Sequence, residues 1–185
     1  MPARGELPRA LIEAGLALLD EEGTEGLTLR RVAARAGVSH AAPAHHFDGL
    51  PGLKTAIATR GFQSFLHDLA AARDNLPEGA DAFDALLAVN LAYIHFAGNR
   101  TALFRLMLDQ LPTRDAELRN ISNGSYLVLK EVCAPFTANR PAAALEAAVW
   151  ALTHGYASLT IGKTYLPEAQ VRTCSYEEAL RLLVG

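Results

Sequence analysis

The twenty residues from Thr28 to Phe47, TLRRVAARAGVSHAAPAHHF, constrain the fold more than any other stretch of this chain. Leu29, Val32, Ala33 and Ala36 recur at i, i+3, i+4 and i+7, so a helix over this segment carries one apolar face. Arg30, Arg31 and Arg35 fall on its other faces. Gly37 stands where a helix C-terminus calls for a residue at ease in the left-handed conformation. Val38 can fill the angle that follows, and Ser39 has the chemistry to cap a second helix running from about Ser39 to His46. Two short helices joined by a tight turn are the unit whose second helix enters the major groove of DNA.

The rest of the chain also reads as helix. A first helix is predicted from about Glu6 to Glu22, with Leu7, Leu11, Ala14 and Leu18 in one stripe and Gly23 as its stop. Thr28 is the expected cap of the second helix, and Phe47 the expected plug of a small three-helix core. A fourth helix, about Pro51 to Asn75, would span about 35 Å at about 1.5 Å per residue, and Leu76 to Gly79 closes it. Further helices are expected at about Asp81–Ala97, ended by Gly98-Asn99, at about Arg100–Gln110, and at about Arg114–Pro135 with a kink at Asn123-Gly124. Two more follow at about Pro141–Gly162 and Tyr176–Val184. Strand alternation, internal repeats and low-complexity tracts are absent from the sequence. The expected fold is all-α: an N-terminal three-helix helix-turn-helix DNA-binding domain and a C-terminal helical bundle, about nine helices in total. The expected division is 1–50 for the first domain, with the motif at 28–47, then a connecting helix at 51–75 and a ligand-binding and dimerisation domain at 76–185.

Composition narrows the function classes. Half of the residues are hydrophobic and only 7% aromatic, which favours helices over strands. No window of about 20 residues is apolar throughout, and the N-terminal sequence lacks the pattern of a secretory signal, so no membrane role is expected. Cys133 and Cys174 read as thiols in a reducing cytosol, consistent with a cytoplasmic protein; Arg172 near Cys174 is the one feature that would favour a redox role. The net charge of −3 does not advertise a polyanion binder. Charge is nevertheless sorted in the first sixty residues: acids gather at Asp20, Glu21, Glu22 and Glu25, and bases at Arg4, Arg9, Arg30, Arg31 and Arg35, so a local basic face is open to the chain.

The ordered set GLTLRRVA, AGVS and HHF, followed by a helix and all within the first third of the chain, resembles the helix-turn-helix of the TetR/AcrR family of bacterial transcriptional regulators. Phe96 to Leu108 (FAGNRTALFRLML) and Val149 to Leu159 (VWALTHGYASL) resemble ligand-domain helices of the branch whose C-terminal domain carries a Trp-His-Gly signature. The resemblance implies a DNA contact surface made of Thr28, Arg30, Arg31, Ser39, His40, Ala41, Ala42, Ala44, His45, His46 and Lys54. In its chemistry, His40 can donate to a phosphate or a guanine acceptor, and the alanine methyls suit a thymine methyl. Two positions depart from the family's habit: Ala44 replaces an aromatic that meets a phosphate, and Leu50 replaces a lysine. Pro43 crowds the carbonyl of Ser39 and weakens the first turn of its helix.

The resemblance also implies an effector pocket in the C-terminal bundle, for which the candidates are Tyr93, Phe96, Leu103, Phe104, Met107, Tyr126, Trp150 and His154. Trp150 and His154, four apart, share one helix face. The expected protein is a homodimeric repressor, paired through its last two long helices, bound to a palindromic double-stranded operator and released by a small apolar effector. The alternative is a ligand-binding or interaction module of the same fold with weakened DNA binding. No catalytic motif, phosphate loop or metal-spaced cluster appears in the sequence, so no enzyme, cofactor or metal is expected.

Overall fold

A computed structural model describes residues 6–138, 140–161 and 174–185. Among these the chain forms nine α-helices and no strand: α1 Leu7–Glu22, α2 Leu29–Arg35, α3 Ala42–His46, α4 Gly49–Asp74, α5 Ala82–Asn99, α6 Thr101–Asp109, α7 Ala116–Cys133, α8 Ala142–Ile161 and α9 Tyr176–Val184. Short 3-10 turns at Thr24–Gly26 and Ala134–Phe136 follow α1 and α7. The predicted end of α8 at Gly162, together with Arg4 and Arg172, lies outside the described residues.

By packing, the chain divides into two units. The first is Met1–Ser64 with Ala102–Ser122, and the second is Phe65–Thr101 with Asn123–Gly185. In the first, Leu11, Leu19, Leu27, Val32, Ala33, Leu53 and Ile57 make a closed core with almost no exposed surface. Gly15 lets α1 approach α4, since a Cβ there would meet Ile57 Cδ1 at 2.5 Å. Helix α6 packs into this same unit. Its Leu103, Phe104, Leu106 and Met107 are buried, the Thr55 hydroxyl donates to Gln110 Oε1 at 3.1 Å, and Gly61 faces Met107.

The local signals at α2 act as expected. The Thr28 hydroxyl accepts from the Arg31 amide at 3.3 Å, and Gly37 closes the helix with φ +67. The next helix differs from expectation. Ser39 does not cap it: α3 begins at Ala42, its N-cap is Ala41, and no side chain caps it. Pro43 is the cause, because its missing N–H and its bulk are tolerated only in a first turn. The chain therefore starts the helix beside Pro43, not four residues earlier. Pro43 is also the buried residue of α3, whereas Phe47 is only half-buried.

In the second unit, α5 packs on α8 and α8 on α9. Capping boxes open two of these helices, Asp81 with Asp84 at α5 and Ser175 with Glu178 at α9. Helix α5 runs two residues past the expected Ala97 and ends at Asn99, with Arg100 as its C-cap and α6 starting at Thr101, so the break falls at the end of Gly98-Asn99. Helix α7 likewise passes through Asn123-Gly124 without interruption. Gly124 serves close approach here, since a Cβ there would lie 3.1 Å from Leu66 Cδ2 of α4. A buried hydrogen-bond chain joins α5, α8 and α9: the Thr153 hydroxyl lies 2.7 Å from Asn90 Oδ1 and 2.8 Å from the Tyr176 hydroxyl. Arg140 donates to the carbonyls of Leu183 and Gly185, and the Arg181 guanidinium sits 3.9 Å from the centre of the Phe83 ring. No helix among the described residues is long and apolar enough to cross a membrane.

Candidate functional site

Candidate functional residues gather in both units. In the first unit, the turn between α2 and α3 presents Ser39, His40 and Ala41 to solvent, and α3 adds Ala44, His45 and His46; Ala42 is half-buried. Thr28 and Arg30 are exposed at the start of α2, and Lys54 is half-buried on the second turn of α4. Freed from capping, the Ser39 hydroxyl makes no hydrogen bond among the described residues.

The basic face is smaller than the sequence suggests. Arg31 is bound to Glu22, and Arg35 grips Glu21 with two bonds of 2.5 and 2.6 Å. The Arg35 guanidinium holds the Glu21 carboxyl below its usual value. The acids at the end of α1 therefore offset two of the three α2 arginines. Arg30 makes no ion pair among the described residues and points its charge to solvent. Arg9 is exposed as well.

In the second unit, Tyr93 of α5 meets Trp150 and His154 of α8. The Tyr93 hydroxyl lies 2.9 Å from His154 Nδ1, and the Trp150 indole N–H hydrogen-bonds to the same hydroxyl. Indole can only donate, so the tyrosine oxygen accepts from it, and the same oxygen is within hydrogen-bond distance of His154 Nδ1. Burial pushes the Tyr93 phenol up to about 12, against the opposing pull of the Trp150 N–H. Phe65 of α4 closes one side, with ring centroids 5.1 Å from Tyr93 and 5.0 Å from Phe96.

A second group sits on α7 and α8. The Tyr126 hydroxyl donates to Glu146 Oε2 at 2.6 Å, and the Tyr126 ring stands edge-on to Trp150 at 6.5 Å. Glu146, Trp150 and His154 are spaced by four along α8 and form one stripe. Cys133 is buried, and burial followed by the charge of Glu146 raises its thiol to about 11; Cys174 is exposed. Burial likewise raises the Tyr176 phenol to about 12.

Of the eight residues singled out for an effector pocket, five fall in this unit: Tyr93, Phe96, Tyr126, Trp150 and His154. Leu103, Phe104 and Met107 belong to the first unit, where they are almost fully buried beside α4. Sequence reasoning missed Phe65, Asn90, Glu146, Thr153 and Tyr176. The spacing of Glu146 from Trp150 was the one available signal for the carboxylate; the others are set by packing between distant helices. Among the described residues no three His, Cys, Asp or Glu come together as a metal site.

Two family models match the sequence. Residues 11–49 match the one described as bacterial regulatory proteins, tetR family, and residues 86–183 match a tetracyclin repressor-like C-terminal domain. No curated protein matches the chain in sequence. Among solved structures, a protein of unknown function from Rhodococcus sp. RHA1 superposes with a TM-score of 0.78 at 28% identity, over 97% of this chain and 96% of that one. The regulator FadR from Bacillus subtilis, solved in complex with stearoyl-CoA, gives 0.70 at 15% identity over 96% and 97%. The TetR family transcriptional regulator PfmR from Thermus thermophilus gives 0.61 at 19% identity over 94% and 96%.

Proposed function

The chain belongs to the TetR family of bacterial regulatory proteins, a family of DNA-binding transcription regulators, and on that basis we propose that it is a homodimeric repressor released from a palindromic operator by a small, largely apolar effector. The observation that carries the DNA-binding part is the solvent-facing set Thr28, Arg30, Ser39, His40, Ala44, His45 and His46, all on or beside α2 and α3. Residues 1–50 act as the reading head and residues 76–185 as the effector and pairing domain, with the helix at 51–75 connecting them. Effector recognition is assigned to Tyr93, Phe96, Trp150 and His154, where aromatic faces surround one hydrogen-bonded hydroxyl. The FadR structure carries a long acyl thioester, which makes such compounds reasonable starting points for a screen. Pairing is assigned to α8 and α9. Ala143, Ala147 and Ala151 are exposed on α8 and permit close helix approach, with Leu159 at 48% exposed and Leu182 at 87% left for a partner to cover.

A second reading is favoured by a specific observation. Ala44 and Leu50 lack the expected phosphate-binding side chains, and Glu21 and Glu22 neutralise two arginines. Such a protein binds DNA weakly or has become a ligand-binding module. Fluorescence anisotropy with the DNA flanking its own gene, against scrambled DNA over a salt series, separates the two. Saturable, sequence-selective binding with a shallow salt slope supports the repressor. Loss of selectivity at every salt, for that DNA and for sites selected from random sequence, sinks it.

A further inference from the structure

We propose that the site built by Glu146, Tyr126 and Trp150 binds an organic ammonium cation. The inference deepens the reading that this unit holds the effector, and rests on it. Glu146 is 6% exposed, and none of the described Lys, Arg or His side chains pairs with it. Burying a carboxylate is costly unless it is paired or hydrogen-bonded, and an opposite charge beside it offsets that cost. Its one hydrogen bond comes from Tyr126, which satisfies a single lone pair of one oxygen.

The surroundings select the kind of cation. Tyr126 and Trp150 stand edge to face, yet are 41% and 50% exposed, so part of each side chain is within reach of a ligand arriving from solvent. Aromatic faces attract alkylated ammonium groups, which shed water more readily than a bare ammonium or a metal ion. Tyr93 continues the same aromatic wall through its bond with Trp150. Glu146 also raises the Tyr126 phenol, chiefly through their hydrogen bond, and adds to the effect of burial on the Cys133 thiol.

Trp150 is the single tryptophan of the chain, so its emission reports on the site directly. The test titrates the full-length protein with phenyltrimethylammonium and, in parallel, with its neutral isostere tert-butylbenzene. Saturable quenching by the cation is expected, at least tenfold weaker for the neutral compound and at least tenfold weaker again in Glu146→Gln. Tyr126→Leu, which removes the ring and keeps the acid, should lose about fivefold. The comparison of the two compounds on the native protein needs no variant to fold. Equal affinity for cation and isostere, no saturable response, or unchanged affinity in Glu146→Gln overturns the proposal. So does a change of oligomeric state in Glu146→Gln by sedimentation, which would make a second copy the carboxylate's partner. Anisotropy of bound DNA in the same samples separates this failure from failure of the effector reading. A cation that binds without releasing DNA sinks the effector reading and leaves the site, whereas a neutral compound that alone binds and releases DNA does the reverse.

Discussion

The Tyr93 hydroxyl lies 2.9 Å from His154 Nδ1, and through that contact α5 is joined to α8 at the one point where the Trp150 indole also donates. Replacing Tyr93 by Phe leaves His154 Nδ1 and the Trp150 indole N–H without this partner. The expected cost is about 1 kcal/mol at neutral pH, read by urea unfolding. The same hydroxyl shapes the alkaline limb. Tyr93 and Tyr176 hold their protons up to about 12 in the folded state, against 10 for an unperturbed tyrosine. Their stabilisation is complete below pH 10 and disappears as the pH climbs through about 12. Stability should therefore fall over that window, and the fall should be shallower in Tyr93→Phe and in Tyr176→Phe. An equally steep limb in both variants would refute the assignment.

Glu21 acts as a brake on the charge of α2. Glu21→Gln removes one negative charge and returns Arg35 to solvent. DNA affinity should rise about two- to fivefold at low salt, and the gain should shrink as salt is added. Anisotropy at two ionic strengths checks this; a gain that persists at high salt would point to a direct contact instead.

Ala44 is exposed on α3 and Leu50 half-buried at the start of α4, so larger polar side chains meet no packed core there. Ala44→Tyr with Leu50→Lys should strengthen binding and steepen its salt dependence by about one or two released ions per subunit. An unchanged slope would show that these positions do not face phosphates.

Gly61 faces Met107 across α4 and α6, and a Cβ at residue 61 would sit 2.8 Å from Sδ and 2.9 Å from Cγ of the methionine. Gly61→Ala should cost about 1–3 kcal/mol by thermal or denaturant unfolding. Combining it with Met107→Ala should cost less than the two single changes added together, because the smaller residue makes the room. Strict additivity would mean that the two residues do not share a contact.

What can be read from the sequence is what local chemistry decides. Thr28 caps α2 and Gly37 ends it because a hydroxyl and a missing Cβ have the same use in any context. The start of α3 escapes such reading because Ser39 is a good cap in isolation while Pro43 has the stronger claim on where the first turn falls. Asn123-Gly124 reads as a weak point, yet the glycine is there to admit Leu66, a residue of another helix. The acids at Glu21 and Glu22 and the bases at Arg31 and Arg35 look like separate clusters until the turn after Gly23 folds α2 back beside α1. The burial of Glu146 is invisible in sequence, since nothing local distinguishes a covered carboxylate from a solvated one.

Helix α3 has five residues, little more than one turn. A helix that short cannot nucleate by itself, because ordering its first turn costs more than its few hydrogen bonds return. It exists only while it is packed against α1 and α2, with Pro43 buried. The surface proposed to read DNA is thus a tertiary product, with little local structure of its own to fall back on. Mild heat or a destabilising change in the small core would silence recognition while most of the helix content of the chain still stood.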